Sequence, residues 1–124
     1  MSARLNGILQ LAITVQDMGR ATAFYREVLG LKFLMGDAQM AFFDCGGVRL
    51  YLTRGEGTAH DPGTGTIYFR ATDLDAQCAA LKAGGAAIHQ EPQRIARLPD
   101  HDLWLMWIRD SEGNLLGIME ERKH

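Results

Sequence analysis

His101 is followed by Asp102 and stands just ahead of an apolar run, where it could act as a base or touch a substrate at a cavity mouth. Tyr51 is the second candidate catalytic group. The other histidines are scattered: His60 in a Gly/Thr-rich stretch, His89 near the end of a short apolar run, His124 at the terminus. None shares the i,i+2 or i,i+4 spacing that sets two ligands on one face, and solvated loop positions are the plain reading. Cys45 at a turn and Cys78 in a helical run have no neighbouring base, so neither reads as a nucleophile. Arg70 and Arg109, near strand ends, either hold a carboxylate or phosphate through the guanidinium fork or are solvated rim residues. Tyr51, Tyr68 and Trp107 read either as an aromatic binding wall or as core at a dimer seam.

The elements that must position these groups come in two copies. Leu103–Glu120 (LWLMWIRDSEGNLLGIME) reads as strand, Asp-Ser-Glu-Gly turn, strand. Met40–Thr53 (MAFFDCGGVRLYLT) is a fainter version, with Asp44 falling on Asp110, Gly47 on Gly113 and Tyr51 on Gly117. A hairpin found twice points to an internal repeat. Upstream of each, Leu11–Asp17 and Ile67–Asp73 alternate as half-buried strands, each ending in an Asp placed to cap a helix. Met18, Ala21, Phe24, Tyr25, Val28 and Leu29 then fall at helical spacing before Gly30, and Leu74, Cys78 and Leu81 do so before Gly84-Gly85. Short strands at Leu31–Leu34 and Ala86–His89 complete two βαβββ modules, about 8–54 and about 66–121, with a linker at about 55–65. The fold class is α+β, and the surplus length of the second half fits a longer loop at about Glu91–Asp102.

Strand alternation assigns the faces. Leu9, Leu11, Ile13 and Val15 should pack under the first helix and Ile67, Phe69 and Ala71 under the second, with Leu50, Leu52, Leu116 and Ile118 buried on the closing strands. Gln10, Tyr51, Thr66, Tyr68, Arg70 and Gly117 then share the open side. If the last turn is type I with a glycine bulge, Asp110 pairs with Asn114 and Trp107 lies opposite Gly117, where a glycine leaves room for the indole. Leu105 and Arg109 then join the open face, and Trp104, Met106 and Ile108 go to the core. A two-residue loop would reverse that assignment.

A chain of 124 residues makes one ordinary domain, and a net charge of −2 offers no basic face for nucleic acid. No apolar run is long enough for a membrane span and no charged-then-apolar leader opens the chain. Two isolated cysteines without a CxxC make no disulfide framework, so a reduced, cytoplasmic setting is expected.

The runs Leu11–Leu31 (LAITVQDMGRATAFYREVLGL), Ile67–Asp75 and Arg109–Glu120 resemble the vicinal oxygen chelate superfamily, which includes glyoxalase I, extradiol dioxygenases and bleomycin-binding proteins. FYREVLGL is similar to that family's "FYxxVLGL" helix, and RDSEGN to its "DPDGN" turn with Ser111 in place of Pro. The resemblance covers nearly the whole chain. It implies a U-shaped mixed sheet around a ligand cavity, helices on the outer face, and a homodimer. It also implies where metal-dependent members place their ligands: carried onto this chain, at Gln10, Tyr51, Thr66 and Gly117. Of these only Gln10 is a plausible donor; Thr66 is a poor neutral ligand, Tyr51 keeps its proton near neutral pH, and Gly117 has no side chain.

The expectation is therefore a protein with neither metal nor other cofactor, binding a small molecule through Gln10, Tyr51, Thr66, Tyr68, Arg70, Leu105, Trp107, Arg109 and Gly117. The alternative is a lyase, isomerase or dioxygenase-type enzyme, with a non-standard metal site or with His101, Tyr51 or Arg70 in acid–base roles.

Overall fold

In the computed structural model, residues 3–4, 7–54 and 66–124 are described. The expected linker, and His60 with it, lies outside them. The chain divides into two compact units, Met1–Ala59 and His60–His124. Each contains a four-stranded mixed sheet and one α-helix.

In the first unit, β1 (Gln10–Thr14) leads to α1 (Met18–Ala23), followed by β2 (Lys32–Gly36), β3 (Met40–Cys45) and β4 (Val48–Thr53). The sheet order is β1-β4-β3-β2, with β1 parallel to β4 and the other pairs antiparallel. Asp17 caps α1, its carboxylate accepting from the Arg20 amide at 3.1 Å. The expected single helix instead widens into a π-helical turn at Phe24–Val28, where the Leu29 amide donates to the Phe24 carbonyl five residues back at 3.0 Å. Tyr25 is wholly buried there, its ring 6.1 Å from that of Phe43. Leu50 and Leu52 are buried as expected.

The expected burial of β1 fails. Leu9 is 72 % exposed and Leu11 38 %, Ile13 is only partly covered, and Val15 alone of the four is buried. The reason is placement: α1 packs on β4 and β3, the middle of the sheet, whereas β1 is a terminal strand.

In the second unit the order of elements is β5 (Tyr68–Arg70), α2 (Leu74–Ala83), β6 (Ala87–Arg97), β7 (His101–Arg109) and β8 (Leu115–Lys123), and the sheet order is β5-β8-β7-β6. Asp73 caps α2 through the Ala76 amide at 3.1 Å, and Glu120 on β8 accepts from the Leu74 amide at 2.9 Å. Leu74, Cys78 and Leu81 are its buried side.

No long loop occupies Glu91–Asp102. β6 runs through Pro92 to Arg97 and pairs antiparallel with β7, so His101 begins a strand. Proline lacks the ladder N–H, but β6 is a terminal strand with one side free of β7, and the pairing shifts register at Ile88/Gln90, Gln90/Gln93 and Arg94/Ala96.

The two hairpins turn differently. Gly46 and Gly47 both have positive φ (62° and 94°) and make a two-residue loop between the paired Cys45 and Val48. The second hairpin has three residues between Asp110 and Asn114, whose backbone bond is 2.9 Å, with Gly113 at φ 85°. Buried Asp110 holds that turn, accepting from the Glu112 and Asn114 amides at 2.8 Å each. Trp107 therefore pairs with Gly117, while in the first module Phe42 pairs with Tyr51. Met106, Ile108, Leu116 and Ile118 are buried as expected. Trp104 is not: it shares their face but is only half-buried, with the Arg122 guanidinium 4.1 Å above its ring.

Candidate functional site

The open face of the second sheet brings side chains from three adjacent strands together. Gly117 on β8 is in register with Tyr68 on β5 on one side and Trp107 on β7 on the other, and the two rings lie 5.4 Å apart at 60°. A Cβ built on Gly117 would sit 2.6 and 2.9 Å from Tyr68 ring carbons and 3.2 Å from Trp107 Cζ3. The glycine is required by close approach: the rings close over the strand.

One strand step along the same face lies a groove of about 280 Å³, lined by Tyr68, Phe69, Arg70, Leu103, Met119 and Glu121. Register explains the lining, since Arg70 pairs with Met119 and Leu103 with Glu121. Glu121 Oε1 accepts from Arg70 Nη1 at 3.0 Å. Its Oε2 lies 3.3 Å from His101 Nε2, without the alignment of a hydrogen bond. On its other nitrogen, His101 Nδ1 is 2.6 Å from Asp100 Oδ1. That bond holds the Asp100 carboxyl below its usual range, and an ionised Asp100 can only accept, which makes Nδ1 the donor. The groove thus has an apolar floor and one charged rim, an arrangement typical of small-molecule sites.

Of the remaining expected residues, Leu105 is buried on this face opposite Met119. Arg109 sits at the hairpin end and donates from Nη1 to the Gly113 carbonyl at 2.9 Å. Thr66 is exposed just before β5. In the first module, Tyr51 stacks on Phe42 (4.8 Å, 16°), and Gln10 Oε1 accepts from Arg49 Nε at 2.7 Å. Glu121 and Asp100 were not anticipated. The alternation Gly117, Met119, Glu121 puts Glu121 on the open face, and that signal could have found it.

This donor set does not fit a divalent cation. Gly117 contributes no atom and Tyr68 fills the space in front of it; the Tyr51 ring is stacked, the Gln10 oxygen is engaged, and Thr66 offers a neutral hydroxyl. Among the described residues no three His, Cys, Asp or Glu are grouped so as to hold a metal ion. Among them, too, no helix is long and apolar enough to cross a membrane.

Comparison with known proteins agrees with this architecture. Residues 7–118 match the sequence model of the Glyoxalase/Bleomycin resistance protein/Dioxygenase superfamily. A probable lactoylglutathione lyase of Vibrio parahaemolyticus is 26 % identical, covering 94 % of this chain and 91 % of its own. The crystal structure of a lactoylglutathione lyase from Agrobacterium tumefaciens superposes with a TM-score of 0.73 at 26 % identity, covering 95 % of this chain and 96 % of that one. A superfamily member from Sphaerobacter thermophilus, 20 % identical, shares the fold with a TM-score of 0.76 over 94 % of this chain and 98 % of that one.

Proposed function

The chain belongs to the glyoxalase/bleomycin resistance protein/dioxygenase superfamily, and from that premise we propose that it binds a small, partly aromatic molecule without a resident divalent cation. The observation that carries this reading is the closure of Tyr68 and Trp107 over Gly117. It replaces a ligand-bearing position with an aromatic surface that continues into the groove. Bound there, a flat molecule gains apolar contact with Tyr68, Leu103 and Met119.

Titrating a panel of aromatic compounds tests it through tryptophan fluorescence. Quenching should survive EDTA, vanish in Trp107→Ala and persist in Trp104→Ala, whose indole faces the helix side under Arg122. A stoichiometric cation in protein purified without a metal-affinity tag, with binding lost to EDTA, would overturn the reading. A second reading, an acid–base enzyme, is favoured by the His101–Glu121 approach and by the lyase names of two relatives. Turnover of a bound compound, abolished in His101→Gln, would establish it. We also infer a homodimer in the cytoplasm. The exposed Ile8, Leu9 and Leu11 support self-association, which sedimentation of Leu9→Lys against the parent would test.

A further inference from the structure

Resting on the groove as the binding site, we propose that its ligand is a small aromatic carboxylate held by Arg70, and that Glu121 is an internal stand-in for that carboxylate. Among the described residues that line the groove, Arg70 is the one cation, and its side chain is 82 % exposed. The guanidinium presents a planar fork built for two parallel bonds to a carboxylate, yet here Glu121 engages it at Nη1 alone. A carboxylate already resting on Arg70 marks the chemistry that position selects.

Glu121 also has somewhere to go. His101 Nε2 is buried without a hydrogen-bond partner, 3.3 Å from Glu121 Oε2, and a buried polar nitrogen left so is uncommon. The Asp100 bond holds the ring, whose side chain is only 15 % exposed, with Nε2 close to Glu121. An incoming carboxylate takes the Arg70 fork, and Glu121 moves fully onto His101, accepting a hydrogen bond from Nε2 after that nitrogen has taken up one proton from solvent. No covalent bond forms or breaks between protein and ligand. The apolar floor takes the ligand's ring, and a single guanidinium matches a monoanion. Arg70 touches the ligand; Glu121 and His101 are positioning residues.

The test compares 2-naphthoate, 2-naphthalenemethanol, 2-naphthylmethylamine and 2-naphthyl phosphate by tryptophan quenching at fixed pH. The expected result is that naphthoate binds about tenfold more tightly than the alcohol, and that Arg70→Gln brings the two to equal affinity. Glu121→Gln should raise the ratio of naphthoate to alcohol affinity by removing the competing charge, and His101→Gln should lower that ratio by leaving the displaced Glu121 without a partner. A purely structural role for either residue would shift both probes together and overturn the exchange. Equal binding of acid and alcohol, or preference for the amine or the phosphate, overturns the ligand class while the groove stands as a binding site. Failure of every probe to bind overturns the groove itself.

Discussion

Replacing Gly117 with alanine adds a single methyl group where the second module has no room. The new Cβ would lie 2.6 and 2.9 Å from Tyr68 ring carbons, distances that force movement, and 3.2 Å from Trp107, which needs only a small adjustment. Overpacking of this kind costs ~1–3 kcal/mol. Tyr68 is 51 % exposed and can swing outward, which places the cost toward the lower half of that range. Against it stands the gain from restricting a strand glycine, about 0.5–1 kcal/mol. The net expectation for Gly117→Ala is a loss of about 1 kcal/mol by urea unfolding at fixed protein concentration. In a Tyr68→Ala background the main clash is gone, and the same substitution should be neutral or stabilising by about 0.5 kcal/mol. Equal effects of Gly117→Ala in both backgrounds would refute the account of why this position is a glycine.

Glu120 bonds both the first amide of α2 and Arg122 Nε at 2.9 Å each, so Glu120→Ala should cost about 1.5–3 kcal/mol in urea unfolding and Glu120→Gln less. Asp102 is held below its usual range first by the His124 hydrogen bond. Its contribution is therefore present above its unfolded value near 4 and lost as pH falls through the lower folded value; Asp102→Asn should flatten the stability profile between pH 5 and 2. Burial, and then the charge of Asp44, push the Cys45 thiol up, so it should react with a disulfide reagent at pH 8 more slowly in folded than in urea-unfolded protein, and faster in Asp44→Asn.

The repeat, the two capped helices and the Trp107–Gly117 pairing were legible because each rests on local chemistry: a capping Asp, a turn glycine, strict alternation. What stayed hidden depended on neighbours distant in sequence. Leu9 and Leu11 alternate like a buried strand, and only the seating of α1 on β3 and β4 leaves them uncovered. The surplus length of the second half reads equally well as a loop, and only the pairing with β7 shows it as an extension of β6, where Pro92 is tolerated because the strand is terminal. Glu121 lies one alternation step past the last residues named for the open face, and only the pairing of β5 and β7 with β8 brings Arg70 and His101 to either side of it.

Pro92 has a further consequence. A strand of eleven residues at the margin of a sheet is a template on which a foreign chain could add itself. Here the strand contains Pro92, slips register against β7 at three places, and carries Glu91, Arg94 and Arg97 as exposed charges. By that chemistry, the longest border of the second sheet is a poor template for fibril growth.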